Sequence, residues 1–390
     1  MPRLSGEIFP TFLRLGLTSF GGPIAHLEYF RREFVERRGW LTEPQFAQLL
    51  AISQFLPGPA SSQVGFGIGW LRGGPLGAVA AFVAFTLPSA LLLGAAAILG
   101  ANDGLLGSAT VVHALKLVAA VVVLDGVLRM ARSLTPDLPR VLIALAAAIV
   151  VSLVGTAWAQ LAAIAVAGGV GLALRTSAAD TVPPLAVRVP PVMRWGLLTL
   201  FALGTVLAIS ASSLGPSLLA LAAAMWRAGA LVFGGGHVVL PLLAESTVAT
   251  GWMSQEAFLA GYGAAQLVPG PMFSLAAYLG ALTPTAAPAW LGALVAVLAV
   301  FLPGFLLLAG VLPVWDRVTA HPNAGRALAG VNAAVVGLLA AALYNPVLPA
   351  AVSAWGDVVI VAVAFAVQRL LHRPTFAVLA LCALGAAWTS

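Results

Sequence analysis

Charge is scarce in this chain: Asp, Glu, Lys and Arg make up 8% of its 390 residues, against about 25% in soluble domains. No polar segment is long enough to form a soluble domain, and no low-complexity linker is present. Cysteine is nearly absent too; Cys382 stands alone, which excludes an internal disulfide. Lys116 is the sole lysine. The phosphate-binding Gly-x-x-x-x-Gly-Lys stretch is missing, so this chain does not by itself drive a pump with ATP. There is no His-x-x-Glu-His zinc pattern, no Gly-x-Ser-x-Gly elbow and no His or Cys cluster, so a membrane-embedded enzyme has little support. The start, Met-Pro-Arg-Leu-Ser, has no charged-then-apolar leader, and no cleaved signal peptide is expected.

What fills the chain instead is apolar: 61% of residues are hydrophobic. Runs near 74–100, 108–131, 195–212, 288–312, 324–344 and 348–369 are each long enough to cross a hydrocarbon core of about 30 Å. Two shorter runs, 139–155 and 158–174, reach only about 25 Å at 1.5 Å per residue and are tight spans. The sequence therefore predicts a multi-pass protein in a lipid bilayer. The pI near 10.4 reflects arginines at the expected loops, which positive-inside anchoring explains without a nucleic-acid partner.

Within the apolar background one pattern occurs twice. Arg14 precedes Phe20-Gly21-Gly22-Pro23 by six residues, and Arg227 precedes Phe233-Gly234-Gly235-Gly236 by six. Trp40, Phe46, Gln54 and Pro57-Gly58-Pro59 return as Trp252, Phe258, Gln266 and Pro269-Gly270-Pro271, and Pro88 returns near Pro303. A period this long marks a duplicated half, the usual trace of a secondary transporter. The halves are taken as 1–180 and 215–390, joined by 181–214.

Arginine placement sets the halves upside down. Segment 23–45 carries Arg31, Arg32, Arg37 and Arg38, whereas its partner 236–257 has no Lys or Arg. The bare 101–112 faces Arg317 and Arg326; Arg129, Arg132 and Arg140 face a bare 345–350; the bare 155–157 faces Arg369 and Arg373. Orientation follows Lys and Arg near span ends, so four alternations predict opposite topology. The helix near 195–212, without a counterpart in the first half, supplies the odd crossing. Nine full spans and four half-depth elements follow, with continuous spans as the alternative to the dips. The fold class is thus an all-α polytopic membrane protein with two inverted-topology repeats and broken or re-entrant helices at the Pro-Gly-Pro and Phe-Gly-Gly motifs.

Those breaks are the candidate site. Pro-Gly-Pro cannot lie inside a regular helix, and backbone freed at membrane depth must be buried in protein or line a cavity. The helix that restarts offers unpaired N–H groups and a positive dipole end, which suits an anion. Ser61 and Ser62 adjoin those groups after Gly58, and Ser274 does so after Gly270. Gly21, Gly22, Gly234 and Gly235 allow similar clusters. Arg14 and Arg227 are costly in an apolar stretch, and their planar forks match a tetrahedral dianion; snorkelling or a carboxylate partner is the alternative. Gln54 and Gln266 can orient an oxyanion or satisfy freed carbonyls. Asp125 and Arg129 are spaced to pair, while Asp357 and Glu245 have no obvious partner. No cofactor or metal is implied.

These residues resemble the chromate ion transporter family in its long, two-half form, in order and spacing over nearly the whole chain. The resemblance implies chromate efflux across the bacterial inner membrane, driven by the membrane potential or a proton gradient, with sulfate as a look-alike substrate. It does not fix which residues bind the ion. A sulfate or other oxyanion transporter and a passive anion channel remain the alternatives, and a homodimer is compatible with the sequence.

Overall fold

The computed structural model describes residues 5–20, 22–100, 109–154, 157–173, 185, 187, 189–211, 215–232, 239–315, 322–370, 378 and 380–385. Among them every regular element is helical, and the protein is an all-α polytopic membrane protein. Gly21, Gly234, Gly235, Arg317, Arg373 and residues 101–108 lie outside the described residues.

The first half runs α1 (Ile8–Thr18), α2 (Gly22–Phe30), a π-helical turn (Arg31–Arg37), α3 (Glu43–Phe55), α4 (Ala60–Gly100), α5 (Ala109–Leu134), α6 (Leu138–Val154) and α7 (Ala157–Gly171). After α8 (Pro191–Ser210) the second half runs α9 (Leu218–Leu231), α10 (Val239–Thr247), α11 (Gln255–Leu267), α12 (Leu275–Leu282), α13 (Ala289–Val311), α14 (Pro322–Ala342), α15 (Leu348–Ala351) and α16 (Trp355–Leu370). Both halves start their third helix with a hydroxyl cap. Thr42 accepts from Gln45 N–H in a reciprocal capping box, and Ser254 accepts from Ala257 N–H, each satisfying an orphan donor of the first turn.

Among the described residues four helices are long and apolar enough to cross a membrane: Ala60–Gly100, Pro191–Ser210, Ala289–Val314 and Gly325–Ala351. α6 and α7 are apolar but shorter, at 17 and 15 residues. The 26-residue α5 carries Lys116, Asp125, Arg129 and Arg132 along its length.

α4 is two helices in one. At Gly73 and Gly74 the backbone leaves helical geometry, Gly74 at φ +64°, a conformation glycine enters without the clash of a Cβ. The arm 60–72 then folds back on the arm 75–100, with Gly69 against the carbonyl of Gly77. In the second half α12 and α13 make the same hairpin, with Gly280 against the carbonyl of Gly292. Both halves thus contain an inner arm that starts at Pro-Gly-Pro and turns back before the long helix.

The long arms pack on each other across the halves. Phe82 meets Phe301 and Phe305 at ring-centroid distances of 5.1 and 4.9 Å, while Gly94, farther along α4, faces Ala293, which is earlier in α13. The two helices therefore run antiparallel. α5 and α16 run parallel instead: His113 Nε2 bonds Asp357 Oδ1 at 2.8 Å, and Arg369 Nη1 lies 3.4 Å from Asp125 Oδ1. Asp357 also accepts Ser353 N–H and Ala354 N–H, which caps the start of α16. Asp125 pairs with Arg129 as well, at 2.7 Å.

Candidate functional site

α1 and α9 carry the two repeated arginines, and both are sunk against the long arm of their own half. A Cβ built on Gly16 would lie 2.6 Å from Phe85 O, and one on Gly229 would overlap Val300 O. Pro88 and Pro303 follow those carbonyls by three residues. A proline deprives its own turn of one hydrogen bond, and a glycine is the residue that lets a neighbouring backbone approach that turn closely.

Each Pro-Gly-Pro then crosses to the other half. Gly58 N–H donates to Val232 O at 2.7 Å, and Gly270 N–H donates to Ser19 O at 3.0 Å. Ser19 and Val232 are the C-caps of α1 and α9, so each break supplies a donor to an orphan carbonyl of the opposite half's arginine helix. Gly58 and Gly270 both sit at positive φ, +133° and +110°. Each also presses on the residue after the other half's proline. A Cβ on Gly58 would lie 2.9 Å from Gly304 Cα, and one on Gly270 would lie 2.7 Å from Ser89 Oγ. Half contacting half through the same pair of elements in both directions is the pattern of a two-fold relation.

The two joints carry different side chains. At the first, Gln63 Nε2 donates to Pro57 O at 3.1 Å and Gly304 O at 3.0 Å, fully buried. At the second, Ser274 and Ser89 share a hydrogen bond at 2.6 Å, and His26 Nε2 meets Ser19 O at 3.2 Å. Among the described residues several buried polar atoms here find no partner: Ser19 Oγ, His26 Nδ1, Thr86 Oγ1, Ser62 Oγ and Gln63 Oε1. Buried polar atoms left unpaired are rare in native structures. Here five such side-chain atoms lie at the two joints.

Gly58, Ser61, Ser62, Gly270 and Ser274 are all buried at these joints. Gln266 is buried and donates to Met272 Sδ at 2.9 Å, but its counterpart Gln54 is exposed at the end of α3. Gly22 opens α2 at φ +76°. The two arginines meet different partners. Arg227 Nη1 donates to Ala208 O at 2.5 Å, at the end of α8. Arg14 Nη2 pairs with Glu33 Oε2 at 2.5 Å and its side chain is 46% exposed. Burial opposes ionisation of Glu33, but hydrogen bonds from Arg38 and Arg37 and the charge of Arg14 hold its carboxyl below the ordinary range. The carboxylates that looked isolated have neighbours: Asp357 has His113, and Glu245 accepts from Gln160 at 3.3 Å.

Ser89, Gly304 and Glu33 were not among the candidates. Pro88 and Pro303, repeated in sequence, pointed to the first two, each one residue on. The spacing of Glu33, four and five residues ahead of Arg37 and Arg38, pointed to the third.

Two like helical halves, each broken at Pro-Gly-Pro and closed by the other, describe a multi-pass membrane protein with the build of a transporter. The chain belongs to the chromate transporter family. The family's model matches it twice, over residues 6–172 and 219–387. It is 32% identical to the chromate transport protein of Pseudomonas aeruginosa, over 86% of this chain and 79% of that one. It is 30% identical to the chromate transport protein of Cupriavidus metallidurans, over 85% and 80%, and 29% identical to a probable chromate transport protein of Synechococcus elongatus, over 85% and 82%. No solved structure matches the chain.

Proposed function

We propose that this chain is a secondary transporter that carries chromate out of the cytoplasm across the inner membrane, with the oxyanion bound at the seam between the halves. Family membership and the chromate-transporting relatives support the substrate. The observation that carries the site is the reciprocal exchange at the breaks, Gly58 to Val232 and Gly270 to Ser19, beside helix starts and unpaired buried hydroxyls. Neutral N–H and O–H donors in a low-dielectric seam can hold a dianion without a counter-charge at contact distance. Arg14 and Arg227 supply the attracting field. Because both joints are tightly packed, the halves part to admit the ion, which couples binding to movement of one half against the other.

Inverted halves fit the geometry. The equivalent long arms of α4 and α13 run antiparallel, as opposite topology requires. α5 and α16 run parallel, both from a loop poor in basic residues toward an arginine-bearing end. The membrane potential or a proton gradient drives the cycle, and no catalysis is involved.

The test is uptake of labelled chromate into everted membrane vesicles, with sulfate, molybdate and phosphate as competitors. Uptake above the outside concentration that collapses with an uncoupler is expected. Arg14→Ala and Arg227→Ala should each lower it about tenfold or more, with Lys restoring only part. Equilibration that ignores the uncoupler would make the protein a passive channel, and absence of uptake would remove the transport reading.

A further inference from the structure

Arg14 does not meet its repeat partner; it opens into a groove of about 570 Å³ lined by Arg14, Thr18, Tyr29, Arg32, Glu33, Glu36 and Arg37. Three guanidinium groups face two carboxylates there. Arg14 Nη2 and Arg37 Nη1 converge on one atom, Glu33 Oε2, at 2.5 and 3.2 Å. Arg38 Nε holds the other oxygen at 2.6 Å. The carboxylate is buried while Arg37 and Arg14 are 62% and 46% exposed, so solvent reaches the cations and not the anion they enclose. The π-helical turn Arg31–Arg37 builds this arrangement. Its wider winding carries the chain from Glu33 to Arg38 in one turn, with Arg38 N–H bonded to Glu33 O, and such turns are frequent at functional sites.

We propose that this groove is the cytoplasmic receiving site for a divalent tetrahedral oxyanion, and that Glu33 is its built-in competitor. Two guanidinium groups meeting on one carboxylate oxygen is also the geometry in which two cations grip an oxygen of a tetrahedral dianion. A dianion of two negative charges takes Arg14 and Arg37 from a carboxylate of one, while a chloride ion offers neither the charge nor the second oxygen. Glu33 keeps the arginines from wandering when no ion is present, and its release frees Arg14 on α1, the helix whose end closes the second joint. Arg32 stays on Glu28 at 2.6 Å and Arg31 on Glu36 at 2.8 Å, so neither is released by the exchange. The inference rests on a divalent oxyanion being the substrate.

The experiment reads the groove without requiring transport. In a Cys382→Ser protein in nanodiscs, Tyr29→Cys is alkylated with a membrane-impermeant maleimide under rising sodium sulfate or sodium molybdate, with sodium chloride at matched ionic strength as control. The dianions should slow labelling several-fold and chloride should not. Adding Glu33→Gln should shift the protecting concentration down, and adding Arg37→Gln, a change on the exposed surface, should shift it up by roughly threefold or more. Equal protection by chloride, or no response to Arg37→Gln, overturns the proposal. Vesicles that accumulate chromate while sulfate gives no protection would sink the groove and leave transport standing; protection without uptake would do the reverse.

Discussion

Changing Gly270 to Ala should cost transport and stability together, because three penalties follow from one methyl group. The backbone there has φ +110°, a region that costs a residue with a Cβ about 1–3 kcal/mol. The added Cβ would lie 2.7 Å from Ser89 Oγ and 3.1 Å from Ser89 Cβ, an overpacking worth about 1–3 kcal/mol. If the segment shifts to relieve this, the bond from Gly270 N–H to Ser19 O weakens, adding about 0.5–1.5 kcal/mol. The sum, roughly 2.5–7.5 kcal/mol, is large against the net stability of a domain. Gly74→Ala is the control. Its φ is +64°, but a Cβ there meets nothing within 4 Å, so only the backbone penalty applies. Ser89→Ala removes the nearest atom, and the double mutant Gly270→Ala/Ser89→Ala should recover part of the loss, a coupling of about 0.5–3 kcal/mol. Thermal denaturation in nanodiscs together with vesicle uptake measures all four proteins. If Gly270→Ala behaves like Gly74→Ala, or the double mutant shows no coupling, then the joint is not a close contact between the halves and the seam is in the wrong place.

Gly58→Ala should behave as Gly270→Ala does, since its Cβ would meet Gly304 Cα at 2.9 Å; a silent Gly58→Ala would break the equivalence of the joints. Asp357→Ala strands Ser353 N–H, Ala354 N–H and His113, and a melting shift corresponding to about 2–3 kcal/mol is expected, with Asp357→Asn milder. Acid should find Glu33. Its folded pKa lies below the ordinary glutamate value of 4.5, so its contribution is present above that ordinary value and is lost as pH falls through the lowered one; Glu33→Gln should flatten this acid limb of stability, and an unchanged limb would refute the assignment. Single cysteines in the Cys382→Ser background should react with an impermeant reagent only from the cytoplasm at Val35 and only from outside at Val248, and labelling of both from one side would end the inverted arrangement.

Local chemistry carried much of this fold into the sequence. Proline and glycine declare where a helix cannot continue, so the Pro-Gly-Pro breaks are visible in the sequence alone. Charge spacing did the same for Asp125 with Arg129. What stayed hidden is non-local. Gly58 meets Val232 across 174 residues (232 − 58) and Gly270 meets Ser19 across 251 (270 − 19), and no periodicity encodes such a meeting. Repetition also overstates likeness. Gln54 and Gln266 are register-equivalent, yet one is exposed and the other buried, because the half-protein around each diverged. The same holds for Arg14, which meets a carboxylate, and Arg227, which meets a carbonyl.

The exchange of caps has a consequence for how the chain is made. Gly58 leaves the ribosome 174 residues ahead of Val232 (232 − 58), which at about 5–20 residues per second is a wait of roughly 9–35 s. Through that interval the first half sits in the bilayer with a donor that has no acceptor of its own, a several-kcal/mol deficit in hydrocarbon. The second half has no such delay, for Ser19 is in place long before Gly270 is translated. The nascent first half is therefore an unfinished surface held open for its sequel, and the moment of greatest exposure to membrane proteases and insertion chaperones falls between the two halves. Two separately translated halves would have to find each other by diffusion to close the same gaps, so fusion into one chain replaces a search in the membrane by a fixed interval of synthesis.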